Sequence, residues 1–385
     1  MKTKQKNVLV ALGWYDHRLL EGIAAYATQH RWHLAAHSII HEKVIPWGWE
    51  GDGVLAWLAA GDDLAHFVAS VKKPTVDFSL RRPHLPFARV VQDHAKTGQL
   101  VADHFLERGF QNFVFYSDSE NWSQEERGQG FVAALKKAGR TCQWVRWHLA
   151  QEDHGPGGSQ WLRRRRWLLA QLQSAPKPVA LFAANGTLTV EVQELCLDAG
   201  IGVPSEVAIV GIEDYLLSVG GTNRSLSGVD TNLEEQGYQG AALLDRLMAG
   251  AKPPREPVRI APAGVIARKS SDILAISHQG VSRALHFIAE HFAGAIGVDD
   301  VARVAGMSRR GLHQAFTEHV GCTPGDKIRN TRLDFAKRRL AETEEKIESI
   351  AQQSGYPSMN TFFAAFRKYE KATPAEFRKT MRRTR

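Results

Sequence analysis

The residues whose type and spacing carry a recognisable chemistry lie in the last hundred or so positions. From Ile276 to Arg385 there are 19 Lys and Arg against 12 Asp and Glu, a net of +7, whereas residues 1–275 hold 30 against 29, a net of +1. Positive charge gathered into one segment favours a polyanionic partner, of which DNA is the commonest, although charge alone does not separate DNA from RNA or a membrane surface. The same segment contains two copies of one pattern of small, capping and apolar residues. Copy one is Val301-Ala302, Gly306, Ser308, Phe316, Thr323-Pro324; copy two is Ile350-Ala351, Gly355, Ser358, Phe366, Thr373-Pro374. The offset is 49 residues before the turn and 50 after it, because Pro357 adds one.

Each part of the pattern has a mechanical reason. A β-branched residue followed by alanine on a short helix lets a second helix cross close by, and glycine ends the first helix in the left-handed region. Serine then caps the second helix. Thr323-Pro324 and Thr373-Pro374 place a capping residue before a proline at the first helical position, and Glu376 completes a capping box with Thr373. The spacing predicts two helix-turn-helix units in tandem, each followed by a further capped helix. A purely structural helical bundle would explain one copy; two in register within a basic segment point to duplex DNA.

Other chemistries lack their residues. The three cysteines, Cys142, Cys196 and Cys322, are far apart, with no spacing that suggests zinc and no paired or metal-like context. There is no phosphate loop, nucleophile elbow or HExxH motif, so an enzyme is disfavoured and no cofactor or metal is expected. The apolar run Val8 to Leu12 is too short for a membrane span or a signal segment, and a cytoplasmic protein is expected.

The 385 residues exceed what one compact core accommodates. Strand candidates at Val8 to Leu12, Gly53 to Leu58, Phe113 to Ser117, Val179 to Ala184 and Val207 to Ile212 alternate with amphipathic stretches at Leu19 to His30, Thr97 to Arg108, Gly128 to Ala138 and Leu188 to Ala199. That order predicts an α/β domain of parallel sheets, with ligands bound beyond the carboxyl ends of the strands. Val258 to Arg268 is a last strand-like run. Residues 1–271 are therefore expected to form the α/β domain, 272–280 a linker and 281–385 an all-α domain. Arg163 to Arg166 lies in a helix-like stretch and is expected to form a solvated face.

The second copy, with Arg332-Leu333, Ala336, Leu340, Thr343, Ile347, Ile350-Ala351, Gly355-Tyr356, Ser358, Phe363, Phe366, Thr373-Pro374 and Phe377-Arg378, resembles the AraC/XylS family of transcription regulators. The resemblance covers about 100 residues. It implies that a recognition helix of each unit enters the major groove and that a long helix, about Pro324 to Glu342, joins the units roughly one turn of DNA apart. By position the base-facing residues would be Arg310, His313 and Gln314 in the first helix and Met359, Asn360 and Ala364 in the second. Arginine and glutamine can pair with guanine and adenine edges, whereas alanine reads little. Arg367, Lys368 and Lys371 are phosphate candidates by charge.

The larger domain, through Val8-Leu-Val-Ala-Leu-Gly-Trp-Tyr-Asp16, Val91-Gln-Asp93, Arg127-Gly-Gln-Gly-Phe131, Phe182-Ala-Ala-Asn185, Val203-Pro204 and Val210-Gly-Ile-Glu-Asp214, is similar to the two-lobed, periplasmic-binding-protein-like sensor of the LacI/GalR regulators. The resemblance implies a small, xylose-like sugar effector, a homodimer and activation of a carbohydrate operon with RNA polymerase as partner. The implied cleft residues are Asp16, Arg127, Asn185 and Glu213, with Trp14, Tyr15 or Trp122 covering an apolar sugar face. Gly186 stands where many relatives have aspartate, and Glu213 replaces the usual aspartate. A sensor that acts only through protein partners is the remaining reading.

Overall fold

The computed structural model describes residues 5–59, 61–147, 160–212, 225–273, 278–343 and 345–383. The chain forms two compact units. One comprises Met1–Glu107 with Gln111–Asp272; the other comprises Arg108–Phe110 with Ile273–Arg385.

The first unit has two lobes, each built on a six-stranded sheet. In the first lobe the strands are β1 (Asn7–Leu12), β2 (His33–Ala35), β3 (Gly53–Trp57), β4 (Thr75–Asp77), β5 (Ala88–Gln92) and β11 (Val258–Ile260), in the order β11-β5-β4-β3-β1-β2, all parallel. The second sheet holds β6 (Asn112–Ser117), β7 (Gln143–Arg146), β8 (Val179–Ala183), β9 (Val207–Ile212), β10 (Ser227–Asp230) and β12 (Gly264–Ile266), in the order β12-β10-β9-β8-β6-β7. Its edge strand β12 runs antiparallel to β10, against the all-parallel expectation. The run Val258 to Arg268, expected as one strand, is two: β11 closes the first sheet and β12 the second, because the Ala261-Pro-Ala263 stretch between them crosses from lobe to lobe.

Helices α1 (His17–Gln29), α2 (His37–Ile40) and α3 (Asp62–Val71) belong to the first lobe, and α4 (His94–Glu107), α5 (Trp122–Lys137), α6 (Gln160–Ser174) and α7 (Gly186–Asp198) to the second. Helix α8 (Leu233–Met248) returns to the first lobe and packs on α1. Among the described residues the chain thus passes between lobes at Gln92 to His94, Asp230 to Leu233 and Ile260 to Gly264. The cores are continuous apolar layers under each sheet. Val8, Val10, Leu19, Ile23, Phe78 and Leu244 fill one face of the first lobe. Phe115, Phe131 and Phe182, all fully buried, meet with ring centroids 5.1–6.3 Å apart in the second. Burying each such side chain contributes roughly 2–3 kcal/mol.

Helices α4 and α5 approach until backbone meets backbone. A Cβ on Gly98 would lie 2.1 Å from the Arg127 carbonyl oxygen, and one on Gly130 2.0 Å from that of Ala95. The arginine run of α6 departs from the solvated-face expectation at Arg164, whose guanidinium pairs with Glu191 at 2.6 Å and Asp118 at 3.3 Å and donates to the Tyr116 hydroxyl at 2.9 Å.

The second unit is helical: α9 (Gln279–His291), α10 (Val298–Ala305), α11 (Arg309–His319), α12 (Pro324–Glu342), α13 (Ile347–Gln353), α14 (Met359–Glu370) and α15 (Pro374–Arg383). It has two apolar clusters, one around Val281, Ile288, Val301, Leu312 and Phe316, the other around Leu333, Leu340, Ile350, Phe362 and Phe366.

Candidate functional sites in the cleft and on the recognition helices

Between the two lobes lies a cavity of about 320 Å³. Its walls come from strand ends and helix starts, as a parallel α/β sheet dictates. Asp16 ends the segment after β1 and caps α1, accepting from the Arg18 backbone N–H at 3.0 Å. Its carboxylate also takes two bonds from the Arg18 side chain, from Nε at 3.1 Å and Nη2 at 2.9 Å. Burial works to raise its pKa, but the Arg18 bonds and charge outweigh it and hold the carboxyl below the usual range. Asp16 is thus both a cap and part of the cleft wall.

Arg127, on α5, is 7% exposed. Its Nη1 donates to the Ala184 carbonyl at 2.6 Å, Nη2 to Gln92 Oε1 at 3.3 Å and Nε to His94 Nδ1 at 3.2 Å. Burial pulls its pKa down to about 10. Burial, followed by the Arg127 charge, holds His94 well below the usual histidine range, so the imidazole is neutral with Nδ1 as acceptor. The His94 ring meets the edge of Trp122, centroids 4.6 Å apart. Asn185 caps α7 through Leu188 N–H at 2.9 Å, and Asn121 caps α5 through Ser123 N–H at 3.1 Å. Trp14 stands over Trp57 at 4.7 Å.

Trp14, Asp16, Trp122, Arg127 and Asn185 therefore line one cavity. Tyr15 does not: it is half-exposed and outside the lining, as expected where successive side chains of an extended segment face opposite ways. Glu213 lies outside the described residues. The reading of the sequence missed Arg18, Arg81, Gln92, His94 and Asn121, which also line the cavity. Their only advance signal was position, at strand ends and lobe crossings.

On the helical unit the two repeats share their local capping chemistry, with one extra residue, Pro357, in the second turn. Gly306 (φ 68°) and Gly355 (φ 76°) occupy the left-handed region that ends each first helix. Ser308 accepts from Gly311 N–H at 3.1 Å and Ser358 from Thr361 N–H at 3.3 Å, capping α11 and α14. Thr323 and Asp326 form one capping box and Thr373 and Glu376 another, their backbone N–H groups reached at 3.2 Å and 2.7 Å. Gly355 has a second constraint: a Cβ there would lie 2.4 Å from the Phe292 carbonyl oxygen. That oxygen also accepts from Arg332 Nε at 2.8 Å, so the end of α9 is gripped from the connecting helix and the second turn at once.

Helix α11 buries Leu312, Ala315 and Phe316 and leaves Arg310, His313 and Gln314 exposed on one face. In α14, Asn360, Ala364, Arg367 and Lys368 are exposed, as is Lys371 just beyond it. Met359 differs from expectation: it is half-buried and packs on the Ile350 and Phe362 cluster, because its helical position faces the apolar stripe. Helix α12, 19 residues long, separates the units by about 28 Å of helix at 1.5 Å per residue.

The periplasmic binding protein-like domain family matches residues 102–271 and a helix-turn-helix domain family residues 301–380. The xylose operon regulatory protein of Escherichia coli strain K12 is 28% identical over 379 residues, 94% of each chain. That of Haemophilus influenzae is 28% identical over 383 residues, 94% of this chain and 95% of the other. The solved structure of the xylose-binding transcription activator xylR aligns over 99% of both chains with a TM-score of 0.75 and 26% identity. No helix among the described residues is long and apolar enough to cross a membrane. With both of its units matched and in this order, the chain is a DNA-binding transcription regulator in which a periplasmic binding protein-like domain precedes a helix-turn-helix domain, similar over nearly its whole length to the xylose operon regulatory proteins.

Proposed function

We propose that this chain is a cytoplasmic, homodimeric activator of a carbohydrate operon. A small sugar binds in the interlobe cleft, and the chain binds operator DNA through α11 and α14 and recruits RNA polymerase. The observation that carries this reading is the joining, in one chain, of a cleft walled by both lobes and a tandem pair of capped recognition helices. The xylose regulators to which the chain is similar supply the sugar class. Arg310, His313 and Gln314 are the base-reading residues of the first helix, and Asn360 and Ala364 those of the second, with Arg367, Lys368 and Lys371 on phosphate. Sequence 1–271 serves as sensor, 272–280 as linker and 281–385 as DNA-binding domain.

Asp16 and Arg127 stand on opposite lobes, so a ligand that touches both favours a closed arrangement by its differential affinity for the two states. Selection of DNA from a random library by the full chain tests the DNA half of this function. We expect an enriched site with two unlike motifs centred roughly 10 base pairs apart, the spacing of successive major grooves on one face. Enrichment of a single motif, or of none, would remove the tandem reading.

A further inference from the structure

We propose that the turn after α9, Phe292 to Gly294, is a brace that fixes the two recognition helices at one separation and angle, and that Arg332 is the positioning residue that holds it. The inference rests on the reading of α11 and α14 as a tandem pair and adds what sets their spacing. The two helix-turn-helix units do not share a core. Ile328 of α12 packs in the first apolar cluster, whereas Leu333, Ala336 and Leu340 of the same helix pack in the second. Each cluster holds its own recognition helix, through Leu312 and Phe316 of α11 in one and Phe362 and Phe366 of α14 in the other. A single helix in common leaves each unit able to tilt as that helix bends.

The turn after α9 adds a second connection. Helix α9 belongs to the first cluster through Val281, Ala284 and Ile288, yet its last turn is gripped from the side of the second unit by three groups. Arg332 donates from Nε to the Phe292 carbonyl and from Nη2 to the Gly294 carbonyl, both at 2.8 Å. The Phe335 ring, one helical turn further along α12, meets the Phe292 ring with centroids 5.2 Å apart. Gly355 sits so close that a Cβ there would lie 2.4 Å from the Phe292 oxygen and 2.9 Å from that of Ala293. Phe292 and Phe335 lie outside both apolar clusters, so these contacts are additional to those that fold each unit.

The chemistry suits a brace. The last carbonyls of a helix have no partner within it, and a cation beside them complements the helix dipole. A guanidinium takes two of them at once with a planar fork, through charge-assisted bonds; an ammonium is a point charge and has no such fork. Two bonds from one planar group fix an angle as well as a distance. That matters on a duplex, where a shift of one base pair moves a motif by about 3.4 Å and turns it by about 34°. Two readers joined rigidly reinforce each other at the one separation both fit, and a looser joint lowers that gain and spreads it over neighbouring separations.

The test uses the full chain and the tandem duplex it selects: with the two motifs at their selected separation, with one base pair inserted or removed between them, and with either motif scrambled. Binding titrations give the ratio of affinities at the selected and shifted separations, which a loss of active protein or of one positive charge leaves unchanged. We expect a ratio of roughly tenfold or more in the parent, falling several-fold in Arg332→Met while each single-motif duplex is bound roughly as before. Arg332→Lys should restore little of the ratio, because it returns the charge without the fork. Phe335→Ala, which alters no charge and neither apolar cluster, should lower the ratio in the same way, and it carries the test if Arg332→Met does not fold. A folded variant that keeps the parent's ratio would overturn the brace. So would equal losses on every duplex, which make Arg332 a residue of stability alone, or full restoration by Arg332→Lys, which makes it a residue of charge alone. Selection of a single motif by the parent would instead remove the tandem reading, and this inference with it.

Discussion

Single residues separate recognition from positioning in this chain. Arg310 is exposed on α11 beside His313 and Gln314, so Arg310→Ala should cost roughly 1–3 kcal/mol on the preferred site and relax selectivity at one base pair. Lys368, exposed with its ammonium 5.3 Å over the Tyr369 ring, should on replacement by alanine weaken all duplexes alike. Binding to preferred and scrambled duplexes measures both, and equal losses for Arg310→Ala on the two would end its base-reading role. In the sensor, Asp77 is fully buried, with Oδ1 accepting from Leu58 and Ser79 N–H groups at 3.1 Å, and burial pushes its pKa up to about 6. Because the folded value lies above the ordinary 3.8, the contribution of this carboxyl to stability is complete below about pH 4 and is lost as pH rises through 6. Asp77→Asn keeps the acceptor and removes the charge. It should stabilise the sensor by on the order of 2 kcal/mol at pH 7.5 and by nothing at pH 4, as read from urea unfolding across that range. A constant difference across the range would show that the carboxyl does not ionise as described.

Elements, rather than residues, decide whether the cleft exists. The α4–α5 crossing holds Arg127 at the wall, and it does so through glycines that leave no room for a methyl group. Gly98→Ala should force the helices apart, at a cost of roughly 1–3 kcal/mol, and weaken effector binding by moving Arg127. Denaturant midpoints and titration calorimetry check the two effects; a variant unchanged in both would show that the crossing is slack. Which elements were legible in the sequence follows from their length. The strands at Asn7–Leu12, Asn112–Ser117 and Val207–Ile212 are long enough to show as continuous apolar runs and the helices between them long enough to show a period, and the second unit announced itself through capping chemistry. Strands β2 and β4, three residues each, have no period to read. Val258 to Arg268 looked like a single strand because nothing local says that its halves join different sheets. The wall of the cleft was harder still. Asp16, Arg127 and Asn185 came from resemblance, whereas Arg18, Arg81 and His94 are brought together only by three lobe crossings, which leave no trace in spacing. Tyr15 and Met359 failed for one shared reason, since the facing of a side chain depends on a single step of local geometry.

At the scale of the molecule, the sequence divides its labour by charge: nearly neutral over the first 275 residues and strongly positive over the last 110. The long helix α12 then joins two units with the same scaffold but different exposed faces, Arg310, His313 and Gln314 on one and Asn360 and Ala364 on the other. A pair of identical readers related by symmetry fits a palindrome and is indifferent to which strand it meets first. Two unlike readers fixed head to tail on one rod are not, so the stretch of duplex that fits one copy of this chain has a front and a back. Turned end for end, the same base pairs would present each helix with the other's text, so one copy of the chain held by both helices would have a defined direction along its duplex.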